Sequence, residues 1–477
     1  MAKAGWEVTV LEKHDMPGGR ARVLKENGFV FDMGPSWYWM PDVFERFFNS
    51  FGKKVSDYYD LKRLDPSYRI YWPDDVMDIP ADYHQLQQLF EKKEPGSSKA
   101  LDQFISEAAY KYDVGINKLV HKPGRSVTEF ANWELVKGLF KLDVFTSIKK
   151  HVGKYFKNSQ LQQLLEFPVL FLGALPQDTP ALYSLMNYAD IKLGTWYPHG
   201  GMYSIVNGMY ELAKELGVKF FFNHNVKEII IEKDTVKNVL AETTAENIEV
   251  SFAADAVIGS ADYHFIETNL LEKQYRTYTE AYWNKRVMAP SCLIYYVGLK
   301  KKLKDITHHS LFFDVDFGVH GKEIYTDPKW PSEPLFYVCA PSVTDSTVAP
   351  QGCENLFFLV PVATGLGGDT EILREKYFDT ILSRFEQKIR QSVKQEIIYK
   401  KSYSVSNFIN DYNSFKGNAY GLANTLMQTA VLKPCIKSKK VKNLFYTGQL
   451  TVPGPGVPPS IISGEVVSKE VVKYFLH

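Results

Sequence analysis

The sequence is poor in cysteine, has no long apolar run and carries no surplus of charge. Its 477 residues include four cysteines, Cys292, Cys339, Cys353 and Cys435. They are widely spaced and form no CxxC pair, which argues against a disulfide scaffold or a zinc module and suits a reducing compartment. The longest strongly apolar stretch, Phe167 to Leu175, is far short of the roughly 20 residues a membrane span needs. No apolar segment of signal-peptide type follows Met1. Lys plus Arg number 56 and Asp plus Glu 55, a formal net charge of +1. That balance argues against a general electrostatic affinity for nucleic acid. There is no internal repeat, low-complexity tract or long linker.

What remains is the composition of a soluble globular chain, 45% hydrophobic and 23% charged. A prior of about 150 residues per domain allows about two to four domains, or one interleaved unit. Aromatics make up 14%, with 31 Phe and 29 Tyr. A rich core accounts for that, and so does a large apolar ligand site.

The local patterns alternate between helix and strand periods. Met1 to Gly5 reads as the last turn of a helix, with Gly5 as its cap. Trp6 to Lys13 (WEVTVLEK) reads as a strand closed by Glu12. Gln85 to Ala189 reads as mainly helical, interrupted at Pro123-Gly124 and Pro176. Met202 to Leu216 is helical and Gly217 ends it. Strands are expected at Val218 to Phe222, Val226 to Ile231 and Val236 to Glu242, and a buried strand at Asp255 to Gly259. Ser291 to about Leu359 reads as strand-rich, and a helix is expected from about Thr370 to Val393. The chain closes as strand Asn443 to Thr447, loop Gly448 to Pro459 and helix Ser460 to Phe475.

Two separated motifs carry chemistry. An acid closing the second strand of a dinucleotide-binding fold accepts hydrogen bonds from ribose hydroxyls, which is the role Glu12 would take. Gly18 and Gly19 would let backbone approach a pyrophosphate or flavin, with Arg20 facing that ligand. The partner motif GxGxxG, expected about 20 residues before the acid, is absent, since only 11 residues precede Glu12. The expectation is that the first strand, its phosphate loop and most of the first helix, about 25 residues, are missing. The second motif runs from Phe445-Tyr446-Thr447-Gly448 through Pro453 to Pro459 into a helix. Such a loop can lie along a planar ring, and the helix N-terminus behind it would stabilise a reduced, anionic flavin.

Taken in order, VLEKHDMPGGRA, FVFDMGPS, FLGALPQDTPALYSLM, GTWYPHGGMYSIVNGMYELAKELGVKFFFN, DAVIGSADYHF, GNAYGLANTLMQTAVLKP and NLFYTGQLTVPGPGVPPSIISGE resemble the FAD-dependent phytoene desaturase family of carotenoid desaturases. The resemblance covers essentially the whole chain. It implies FAD as cofactor, with Glu12 as the ribose-binding acid and Gly18, Gly19 and Arg20 as the flavin-contacting loop. Gly34 and Pro35 match a loop near the flavin, and Val226 an adenine-facing strand. Gly448 matches a diphosphate-side contact, and Gly456, Val457 and Pro458 the loop along the isoalloxazine. It implies a CH–CH oxidoreductase that inserts double bonds into phytoene or a related precursor, with hydride passing to flavin N5. The electron acceptor would be oxygen or a quinone. No catalytic acid or base is assigned: the family's acidic helper has no clear match in Phe130 to Asp143. A flavin amine oxidase or protoporphyrinogen oxidase, a carotenoid isomerase, and a cofactor-free carotenoid-binding protein remain open.

The expected fold is α/β. A discontinuous Rossmann-like FAD-binding domain (1–60, 202–271 and 433–477), without its first βα unit, joins a mixed-sheet substrate domain (67–80 and 284–432). A helical lid or membrane-associating region spans 85–191. A hydrocarbon substrate implies a cytoplasmic enzyme peripheral to the inner membrane. His121 to Lys157 is the docking candidate, with eight Lys or Arg against three acids and Phe130, Trp133, Val136, Leu139, Phe140 and Phe145 interleaved. Phe167 to Leu175 is expected in the tunnel or core. The basic run Lys433 to Lys442 reads as a solvated face. His199 is a candidate to face the ligand. His308-His309 has no third ligand nearby in sequence, so no metal site is assigned.

Overall fold

The structure is a computed structural model that describes residues 1–126, 129 and 142–476. Its largest element is a seven-stranded mixed sheet. The order is Ile397–Tyr403, Ser291–Leu299, Glu354–Val362, Phe336–Cys339, His309–Phe312, Tyr68–Tyr71 and Val76–Ile79. Neighbours are antiparallel, except that His309–Phe312 runs parallel to Tyr68–Tyr71.

The Ser291–Leu299 strand shows why this sheet is central. All nine of its residues are buried. Leu293, Tyr295, Val297 and Leu299 pack with Phe378, Ile381, Leu382 and Phe385 of the Glu371–Ile389 helix. Cys292, Ile294 and Tyr296 face the opposite side, into the main core. A strand covered on both faces reads as a continuous apolar run. Each such side chain contributes about 1.5–3 kcal/mol by burial.

The segments that flank the glycine motifs build smaller sheets. Thr9–Leu11 pairs in parallel with Lys219–Phe221, and Val257–Gly259 pairs in parallel with Leu444–Tyr446. In the stretches expected to form a Rossmann-like domain these are two separate parallel pairs, and no described strand bridges them. His224–Glu232, Thr235–Thr243 and Glu249–Ala253 form an antiparallel meander. The Val257–Gly259 strand, expected to be buried, is half-buried throughout.

Gly5 ends the first turn at φ 87° with its N–H on the Ala2 carbonyl. Several elements were not visible in the pattern, four of them in the second half of the chain. Those four are the helices Phe317–Tyr325 and Val405–Tyr412 and the strands Ile397–Tyr403 and Glu249–Ala253. Asp316 caps the first of these helices by accepting Gly318 N–H at 2.7 Å and Val319 N–H at 3.0 Å. The C-terminal helix begins at Val457, three residues before the expected Ser460. Pro458 and Pro459 sit in its first turn, where a missing N–H has no consequence. Ser460 does not cap it; its hydroxyl donates to the Gly456 carbonyl at 2.7 Å.

The helices Tyr83–Lys93, Ser97–Tyr112, Ile148–Tyr155 and Ser159–Glu166 make up most of the helical segment before Gly194. No helix among the described residues is long and apolar enough to cross a membrane. Phe130, Trp133, Val136, Leu139 and Phe140 of the proposed docking stretch lie outside the described residues.

Candidate functional site

Glu12 stands just past its strand. Its N–H donates to the Phe221 carbonyl at 2.9 Å, and its own carbonyl accepts His224 N–H at 2.9 Å. Its carboxylate accepts His14 N–H at 2.9 Å, yet burial holds its pKa above the usual carboxylate range. Val226 lies two residues beyond His224, paired with Ala241. Glu12 and Val226 therefore share one corner.

The Gly18–Gly19–Arg20 turn needs glycine. Gly18 has φ 117°, and a Cβ there would lie 3.1 Å from Val206 Cγ1 of the Tyr203–Glu215 helix. The Arg20 side chain is half-buried and already occupied. It donates to the carbonyls of Asn418 and Ala419, the latter at 2.9 Å, and to Ser414 Oγ at 3.0 Å. Asp262 lies 3.9 Å away. A guanidinium drawn partly out of water needs such acceptors, so the side chain pins the turn. Asp262 in turn accepts Phe265 N–H at 3.3 Å and Phe415 N–H at 3.1 Å. Gly34 packs against this turn, and a Cβ at Gly34 would overlap the Arg20 carbonyl. Pro35 follows directly in the chain.

The C-terminal set is held from behind by its own helix. Gly448 has φ 102°, and its N–H donates to Ser463 Oγ at 3.1 Å. Thr447 Oγ1 donates to the same Ser463 oxygen at 3.0 Å. Gly456 has φ 115° and leads into Val457 and Pro458, which open the helix. The segment around Gly421 joins the two glycine motifs. Asn418 and Ala419 bind Arg20, and a Cβ at Gly421 would lie 2.7 Å from the Gln449 carbonyl.

Lys433 is the main surprise. It belongs to the basic run that reads as solvated, but it is 4% exposed. It is threaded beneath the Gly448–Gly456 loop, where a Cβ at Gly454 would lie 2.8 Å from its Nζ. The Lys433 ammonium donates to Asn424 Oδ1 at 2.8 Å, and burial pushes its pKa down to about 7. Sequence reading missed Lys433, Asn424, Asp262 and Ser463. Only the placement of Lys433 directly before Pro434, away from the other lysines, sets it apart.

Between the loops and the large sheet stands an aromatic cluster. Phe167 is 5.2 Å from Tyr68 and 6.1 Å from Trp37, ring centre to ring centre. This places the start of the Phe167 to Leu175 stretch in the core. Behind the cluster, Asp190 accepts Tyr68 Oη–H at 2.7 Å and Thr195 Oγ1–H at 3.1 Å. Burial raises the Asp190 carboxyl to about 7. His199 faces solvent, 3.4 Å from Asp345, so it is turned away from this cluster. Of the four cysteines, Cys292 and Cys339 are buried, and Cys353 and Cys435 are half-buried. His308-His309 does acquire a third potential ligand, because folding brings Cys339 to it.

Parallel strand pairs, a glycine turn pinned by a half-buried arginine and a glycine loop backed by a helix define a class. It is a mixed α/β oxidoreductase fold of the flavin amine oxidase type. The chain belongs to the flavin containing amine oxidoreductase family, which matches residues 1–472. It is 40% identical to the carotenoid 3,4-desaturase of Haloarcula japonica, over 99% of this chain and 94% of that one. It is 30% identical to the 4,4'-diapophytoene desaturase (4,4'-diaponeurosporene-forming) of Staphylococcus haemolyticus, over 100% and 96% respectively. An oxidoreductase structure from Methanosarcina mazei superposes with a TM-score of 0.63 at 14% identity, over 98% and 95% of the chains, which shows the shared fold.

Proposed function

We propose that the chain is an FAD-dependent carotenoid desaturase, inserting double bonds into a long acyclic polyene precursor. The observation that carries this reading is the 40% identity to a carotenoid 3,4-desaturase along nearly the whole of both chains. FAD, when bound, supplies the hydride acceptor at N5.

The residues present fit that cofactor. Glu12 would take the ribose hydroxyls, with Val226 beside the adenine. Gly18, Gly19, Gly34, Pro35 and the Arg20 backbone would border the flavin. Gly448 would approach the diphosphate, and Gly456, Val457 and Pro458 would run along the ring. Lys433 supports this assignment, because a buried ammonium with one acceptor beneath the Gly454 backbone is suited to an anionic edge. Trp37, Trp39, Tyr68 and Phe167 would wall the polyene and keep water out, so charge developing along the conjugated chain stays in an apolar surround. A membrane surface would deliver the substrate. Phe145 is 86% exposed beside the basic stretch, and Met427 is 70% exposed. Oxygen or a quinone would accept the electrons.

The test is a visible absorption titration with FAD of this chain, alone and extended at its N-terminus by a GxGxxG unit, followed by assay in liposomes carrying acyclic carotenoid precursors. Tight flavin uptake and a red-shifted, longer chromophore are expected. Lys433→Met should weaken FAD binding about tenfold, roughly the 1.4 kcal/mol of one charge-assisted hydrogen bond. Isomerised product with no gain in double bonds, or turnover of amines in place of polyenes, would overturn the desaturase reading.

A further inference from the structure

Three potential metal ligands meet in the large sheet, behind Trp37. His308 and His309 stand at the start of the His309–Phe312 strand, and Cys339 closes Phe336–Cys339. His309 and Cys339 are directly opposed in the antiparallel register, so their side chains share one face. The His308 carbonyl accepts Ala340 N–H at 2.8 Å and locks the pairing. One ring nitrogen of each histidine and Cys339 Sγ all lie within 4.8 Å of one another.

Each imidazole has one nitrogen committed and one free. His309 Nδ1 lies 2.6 Å from Tyr337 Oη, which also lies 3.1 Å from Ser36 Oγ. His308 Nδ1 is held by Thr344 Oγ1 at 2.8 Å. Both Nε2 atoms lack a hydrogen-bond partner among the described residues, although the residues are only 3% and 0% exposed. Leaving a buried polar atom unmatched costs about 1–3 kcal/mol. Metal-ligating histidines show this arrangement, with the second nitrogen fixed by a hydrogen bond. Trp37 lies flat on His309, ring centres 4.0 Å apart and planes at 11°, and fixes the plane of the ring.

We propose that His308, His309 and Cys339 bind a thiolate-preferring divalent cation of the zinc class, which staples the two strands together. Two imidazoles and a thiolate are too soft for calcium or magnesium and suit zinc. Binding breaks the Cys339 S–H bond, releases that proton to solvent and forms one metal–sulfur and two metal–nitrogen bonds. No electron moves. The other three-residue cluster, Glu107, Asp143 and His151, is a poorer candidate. Its cation is already there: Lys111 Nζ lies 2.9 Å from Asp143 and 3.3 Å from His151 Nε2.

The experiment loads the full chain during expression, in defined medium with Co2+ or Zn2+ as the probe, and measures metal by elemental analysis. About one metal per chain is expected, with a thiolate-to-cobalt charge-transfer band in the Co2+ form. Cys339→Ser should abolish that band, and His308→Gln and His309→Gln should lower the metal content. Cys353→Ser should leave both unchanged, with circular dichroism confirming the fold of every variant. Wild-type chain holding less than about a tenth of a metal overturns the proposal, as does a charge-transfer band that survives Cys339→Ser. If Cys339→Ser does not fold, the wild-type band decides: present, it supports the thiolate; absent, it refutes the site.

Discussion

A methyl group at Gly34 would meet the Arg20 carbonyl, and a backbone oxygen cannot swing aside as a side chain can. Gly34→Ala is therefore expected to destabilise the chain by about 1–3 kcal/mol and to loosen the turn at Gly18, which thermal unfolding and FAD titration would both register. Asp190 gives a prediction about pH. Its carboxyl rises from 3.8 to about 7 on folding. The unfolded chain loses that proton near pH 4 and the folded chain keeps it to about pH 7. This group therefore makes the folded state lose stability as pH climbs through that window, by roughly 2–4 kcal/mol. Asp190→Asn removes the titration and keeps an acceptor. The difference in Tm between variant and wild type should grow in favour of the variant from pH 4 to pH 7 and then level off. A flat difference would mean that Asp190 is ionised throughout.

Among elements, the C-terminal helix does most to shape the glycine loop. Ser463 receives the Gly448 N–H and the Thr447 hydroxyl from about two turns inside the helix. Ser463→Ala leaves both donors unmatched in a half-buried place. A loss of about 1–3 kcal/mol in stability is expected, together with weaker FAD retention, read by unfolding and by titration. Val466→Ala in the same helix removes apolar contact alone and serves as the control for a purely structural loss. Long periodic elements such as Tyr203–Glu215 and Glu371–Ile389 were legible in the sequence because their spacing is unambiguous. Phe317–Tyr325 was not, because it is nine residues with two glycines and its cap Asp316 has little local company. The start at Val457 was masked by Pro458-Pro459, which read as loop but are acceptable in a first turn.

On the scale of the whole molecule, the order of motifs along the chain revealed the family, while the contacts between motifs did not show in it. Glycine spacing marked Gly18, Gly448 and Gly456, since only certain residues tolerate those backbone angles. Asp262 and Lys433 were illegible because their importance comes from burial, and burial is decided by segments far away in sequence. The same holds for His308, His309 and Cys339, joined only by strand register. Arg20 shows what this distance entails. Its hydrogen bonds reach Asn418 and Ala419, 398 and 399 positions away. A chain leaving the ribosome at about 5–20 residues per second exposes Arg20 on the order of tens of seconds before its acceptors exist. For that interval the nascent N-terminal turn has no route to its folded form. The newborn polypeptide must wait, hydrated or chaperoned, until its far end has been made.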